Sequence, residues 1–164
     1  MKLTIEHLAP YLPYGLKVIV EYYGIETMIG LNKGCIITDV DDCDFIGIKP
    51  ILRNLSDLTK KIEVNGEKFV PINHLLDIHS KCNWSASDYL VISNGVGEWW
   101  TSIKGGYSIF GYNEKNGFYQ VTQNGVFNIV KNQIKLYQKL FSWHFDVFNL
   151  IENGLAIDIN TIKI

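Results

Sequence analysis

Basic charge is what this sequence most evidently lacks. Its 15 Lys and Arg stand against 17 Asp and Glu, for a formal net charge of −2. A dedicated DNA-binding domain carries the opposite balance, because phosphate neutralisation supplies most non-specific affinity. Cysteine is sparse as well. Cys35, Cys43 and Cys82 make no close-spaced pair, which argues against a disulfide scaffold and for free thiols in a reducing cytoplasm. No stretch approaches the roughly 18 consecutive apolar residues of a membrane helix. The opening MKLTIEHLAPYLPYG lacks the uninterrupted apolar run of a signal peptide. Walker A, G-x-G-x-x-G, G-x-S-x-G and H-E-x-x-H motifs are all missing. So are internal repeats, low-complexity tracts and any linker long enough to divide domains. The expectation is a single cytoplasmic domain over residues 1–164.

What is present is apolar and aromatic. Hydrophobic residues make up 47% and charged residues 20%, enough apolar surface to offset chain entropy. The 9 Tyr, 8 Phe and 4 Trp read first as a core of large rings and second as a stacking surface. Residues 4–9 form a short helix on this reading, stopped by Pro10 and Pro13. Strands are expected over 16–23, 27–31, 34–38 and 45–52, the last with Pro50 at an edge or a strand end. Asn65-Gly66 between two β-rich runs predicts a hairpin over 61–70, and Pro71 opens a short helix to about residue 78. A second hairpin is expected from strands 107–112 and 118–122. Asn-Gly recurs at 65–66, 94–95, 116–117, 124–125 and 153–154, each a ready site for chain reversal.

Residues 132–152 read as one long helix. On a wheel of ~100° steps, Lys135, Lys139, Ser142, Asp146, Asn149 and Asn153 form a narrow polar stripe. His144 falls opposite it, at the centre of an apolar face that includes Leu140, Phe141 and Phe148. A histidine there needs a partner for each ring nitrogen. The structural expectation is a neutral imidazole bonded to a backbone carbonyl, a hydroxyl or water; the functional alternative is a binding or catalytic group at a pocket floor. Asp146, two residues on, would lie on the opposed side and cannot orient it. Asn153-Gly154 closes the helix, and the alternation of Leu155, Ile157 and Ile159 sends the chain on as a strand. The width of the apolar face predicts a homodimer with this helix at or near the interface.

Other candidate chemistry is thinner. Asp39, Asp41, Asp42 and Asp44 form the densest acidic cluster, but Cys43, Asp44 and Pro50 break the calcium-loop pattern. His74, His79 and Cys82, with Cys35 or Cys43, have no recognised zinc spacing. Trp99 and Trp100 beside Lys104 offer a stacking surface, with His144 a further binding candidate. No catalytic residue, metal or cofactor is assigned.

Two segments, IKPILRNLSDLTKKIEVNGEKFVPI and LFSWHFDVFNLIENGLAIDIN, resemble a family of short proteins from phages and prophages of Bacteroides-type gut bacteria. That resemblance implies a viral or mobile-element origin and brings no activity with it. It also implies Pro near Asn54 and Gly near Asn149, where this chain departs.

The expected architecture is α+β, a mostly antiparallel sheet packed on a long C-terminal helix with one or two short helices. The expected function is a non-catalytic accessory protein that binds a host or viral macromolecule, anti-defence or virion-associated. A protein partner is favoured over nucleic acid, with no membrane role. The alternative is a small enzyme, metal-dependent or not, using His144, His74 or the Asp39–Asp44 loop.

Overall fold

A computed structural model describes residues 2–20, 25–29, 48–80, 91–93, 98–103, 106–113, 115–122 and 124–162. The fold is α+β, with helices and a predominantly antiparallel strand content. The chain forms two compact units, the first from residues 1–54 and 140–164, the second from 55–139.

In the first unit, helix α1 (Ile5–Leu8) runs directly into a 3-10 segment, Ala9–Tyr14. The α-helix ends at Leu8, just before Pro10, as expected from sequence, and both prolines lie in the 3-10 segment that follows. Pro10 sits in the first turn of that segment, where a missing amide donor costs little. Gly15, at φ 69°, ends the segment. Strands β1 (Leu16–Val20), β2 (Ile25–Ile29) and β3 (Ile48–Leu52) pair antiparallel, with β1 in the centre of the three. Pro50 lies opposite Val18, and the further neighbour of β3 joins only from Ile51 onward. The proline therefore borders a ladder end. Leu8, Tyr11, Leu16, Val18, Leu52 and Leu150 make the buried core, with Phe141 and Phe148 packed against it.

In the second unit, β4 (Ile62–Val64) and β5 (Glu67–Phe69) form the expected hairpin. Asn65 and Gly66 both take positive φ, 52° and 83°, as a type I′ turn demands. Helix α2 (Pro71–Ser80) follows. Strands β6 (Val91–Ser93), β7 (Glu98–Ile103), β8 (Gly106–Asn113), β9 (Gly117–Val121) and β10 (Phe127–Ile129) then make an antiparallel meander, in that spatial order. The expected hairpin around residues 113–117 is β8–β9, and Asn113 pairs with Gly117.

Helix α3 (Gln133–Ser142) is ten residues long. The helix expected over 132–152 ends half-way, and the reason is local. The His144 amide donates to the Phe141 carbonyl (3.0 Å) and the Phe145 amide to the Leu140 carbonyl (2.9 Å). His144 itself takes φ 58°. This is a Schellman closure with histidine in the left-handed position that glycine usually fills. Beyond it Phe145 makes an isolated bridge. Arg53 donates its amide to the His144 carbonyl (2.7 Å) and accepts from the Asp146 amide (2.8 Å), a one-residue parallel bridge to Phe145. Trp143, Phe145 and Val147 are all buried. A continued helix would have scattered these three around its axis.

The closure repeats ten residues on. The Gly154 amide donates to the Ile151 carbonyl (3.0 Å), the Leu155 amide to the Leu150 carbonyl (2.8 Å), and Gly154 has φ 69°. Asn153-Gly154 is thus the expected stop, but of an isolated turn. Strand β11 (Ile157–Asp158) then pairs parallel with β3.

Gly117 combines φ 66° with crowding. A Cβ there would stand 2.8 Å from Gln133 Oε1 and 3.0 Å from the Tyr137 hydroxyl. Gly117→Ala should lower unfolding free energy by about 2–4 kcal/mol, summing left-handed strain and overpacking. Urea denaturation checks it; a loss under about 1 kcal/mol would show that Gln133 yields freely.

Candidate functional site

His144 and Asp146 stand where the helix has ended, so the wheel does not place them. The His144 ring is half-buried, with Nε2 3.1 Å from the Tyr14 carbonyl, which accepts its N–H. Burial holds its pKa below the ordinary value; the Tyr14 carbonyl works against that, and Arg53 and Lys17 add to it. This is the neutral, carbonyl-bonded histidine of the structural expectation. Asp146 departs from its expected place on the solvent stripe: it is buried. Its carboxylate accepts the Leu150 amide at 2.9 Å and the Ile151 amide at 2.7 Å. Burial raises its pKa, while bonds from the Ile151, Leu150 and Phe148 amides pull it down. Tyr11 completes the group. Its hydroxyl donates to the Phe145 carbonyl (2.7 Å) and accepts from the Val147 amide (3.4 Å). Every polar atom named here bonds main chain.

The remaining sequence candidates do not assemble. His74 lies edge-on against Phe69 (4.8 Å between ring centroids), while His79 bonds Gln120 and tilts over Phe110. Cys35, Cys43, Cys82, Lys104 and the Asp39–Asp44 loop lie outside the described residues. Among the described residues no three His, Cys, Asp or Glu side chains group as a metal site. Trp99 and Trp100 sit on β7, in adjacent rows of the ladder: Trp99 opposite Phe110, Trp100 opposite Ile109. Their side chains are outside what is described.

A different surface emerges at β10, the last strand of its sheet. Its inner side is well made. Tyr119 stacks on Phe127 (5.1 Å) and lies so close over Gly111 that a Cβ there would sit 2.5 Å from the ring. On the opposite sheet face Phe110, Phe118, Tyr112 and Tyr137 form a ring cluster with centroids 5.2–6.0 Å apart, which seats α3. The Gln133 side chain accepts the Phe118 amide through Oε1 (3.0 Å) and donates through Nε2 to the Phe118 carbonyl. It replaces a strand there and fixes where β10 ends and α3 begins.

Beyond the Tyr119–Phe127 contact the segment leaves apolar side chains exposed, Phe127 and Ile129 on the Tyr119 face and Val126 on the other. Val126, Phe127 and Ile129 are 53%, 47% and 56% exposed, and Ile134 in the first turn of α3 is 75% exposed. Lone exposed apolar residues need no explanation, but four within residues 126–134 mark a contact surface. Lys131 and Lys135 are exposed within and next to this segment in sequence.

Comparison with protein-family models, curated proteins and solved structures finds no match to this chain. The geometry therefore stands on its own.

Sequence reasoning passed over this site, although two signals were there. One is charge: residues 115–145 hold Lys115, Lys131, Lys135 and Lys139 and no Asp or Glu, a local excess hidden by the overall −2. The other is Asn124-Gly125, whose glycine does take φ 75° and whose turn launches β10.

The histidine yields a prediction. The unfolded imidazole titrates near about 6.5, and the folded one below that. Between the two values the unfolded state binds more protons, so stability should rise with pH through that window and fall on acidification. His144→Gly should remove this pH dependence and relieve the left-handed strain. His144→Ala should keep the strain and be less stable than the glycine variant by about 1–2 kcal/mol. Melts of the three proteins at neutral and mildly acidic pH check this; an alanine variant as stable as the glycine one would contradict the backbone assignment.

Proposed function

We propose that this is a non-catalytic binding protein, an accessory product of a phage or mobile element that engages a host or viral macromolecule in the bacterial cytoplasm. The observation that carries the reading is the exposed apolar run at β10 and the start of α3, bordered by lysines. Apolar surface costs free energy in water at about 25 cal/mol per Å², so a surface of this kind is most stable when covered. A protein partner fits an apolar surface better than nucleic acid does, since base and phosphate contacts are polar and charged. Of the residues named for the enzyme alternative, the Asp39–Asp44 loop lies outside the described residues, and the two histidines are engaged elsewhere. His144 is engaged by the Tyr14 carbonyl and His74 by a phenyl ring. The homodimer expectation rested on a long apolar helix, and α3 is ten residues long.

Val126→Ser with Ile134→Ser tests the reading. Both positions are more than half exposed, so stability should change by less than about 0.5 kcal/mol per site. Affinity capture from host lysate, with nuclease treatment to remove bridging nucleic acid, should recover a partner with the wild type and at least about tenfold less with the double variant. Equal recovery by both, or none by either, would refute the site.

A further inference from the structure

Resting on that reading, we infer that the β10 edge takes a strand from its partner: an extended peptide alternating apolar and acidic residues.

Main-chain geometry makes the first half of the case. The Thr122 amide donates to the Val126 carbonyl (3.0 Å), and the Val130 amide donates to the Phe118 carbonyl (3.1 Å). Asn128 faces Gln120 midway between these two pairs. Residues of an antiparallel strand alternate between bonding one neighbour and the other. Residues 126, 128 and 130 thus bond to β9, and the N–H and C=O groups of Phe127 and Ile129 point away from it. Among the described residues β10 has no neighbour on that side. Two donors and two acceptors at this spacing are matched by another extended chain and by little else.

Side-chain pattern and charge choose the chain. Cross-strand partners share a sheet face. Partner residues opposite Phe127 and Ile129 would extend the row that Tyr119 begins, and so should be apolar. The intervening residues fall on the Asn128 face, which is also the Phe118 face where α3 packs through Tyr137. Lys131 and Lys135 are exposed at that end of the strand, in a stretch, residues 115–145, whose charged residues are all lysines. Acidic residues complete the match. The same charge disfavours a second copy of this edge, which would bring lysine against lysine.

The test uses the full chain and three labelled probes: a peptide alternating valine and glutamate, its valine–lysine counterpart, and a single-stranded oligonucleotide. Anisotropy should show binding of the valine–glutamate peptide alone, weakening as salt rises. Ile129→Pro removes an outward amide and no β9 bond, so the fold should persist while affinity drops at least about tenfold. Lys131→Glu with Lys135→Glu should weaken binding and flatten its salt dependence. In the wild-type protein the Phe127 and Ile129 amide resonances should shift on titration, which keeps the test decisive if the proline variant misfolds.

Equal binding by folded Ile129→Pro would overturn strand addition. A preference for the lysine peptide or the oligonucleotide would overturn the acidic partner, as would a wild-type dimer that Ile129→Pro dissolves. Where the Val126 and Ile134 changes abolish capture but the valine–glutamate peptide does not bind, the surface stands and strand addition falls.

Discussion

Main-chain amides and carbonyls must be paired wherever water cannot reach them, and both units are organised around how that is done when the regular ladders run out. In the first unit the pairing is made by side chains far apart in sequence. The Tyr11 hydroxyl serves the Phe145 carbonyl and the Val147 amide, and the Asp146 carboxylate serves two amides of the following turn. In the second unit the Gln133 amide closes off β9 at Phe118. Remove any of these and a buried donor or acceptor is left without a partner, at about 1–3 kcal/mol each. At the outer edge of β10 no such group is present among the described residues, and that is why it is read as the place where another molecule supplies one.

The same constraint explains why α3 stops. A continued helix would satisfy residues 143–147 internally but could bury only one side of that run. Broken, the chain buries Trp143, Phe145 and Val147 together and still satisfies its backbone through Arg53, Tyr11 and the Schellman closure. The left-handed φ of His144 is the local cost, about 1–2 kcal/mol, and three buried apolar side chains outweigh it at about 1.5–3 kcal/mol each. Asn149 makes a second concession of the same kind, at φ 57°.

What could be read in the sequence was what short-range chemistry decides. Asn65-Gly66 fixed a hairpin, Pro71 opened a helix, and alternation beyond Leu155 marked a short strand. The break after Ser142 was not legible, because Leu140, Phe141, His144 and Phe148 also satisfy a helical period. Arg53 and Tyr11, which decide between the two, are about 90 and 130 residues distant, and no local pattern carries them. Asp146 was misplaced for the same reason. β10 escaped notice because three residues are too few to show a period, and its lysines were averaged away in the net charge.

Amide hydrogen exchange along β10 in the unliganded protein tests the edge most directly. The amides of Asn128 and Val130 should be protected by at least about tenfold over those of Phe127 and Ile129, which face outward with no partner among the described residues. Uniform protection of all four would mean that the edge is already covered, and protection of Phe127 and Ile129 alone would mean that the strand presents its other side; either result contradicts the docking edge.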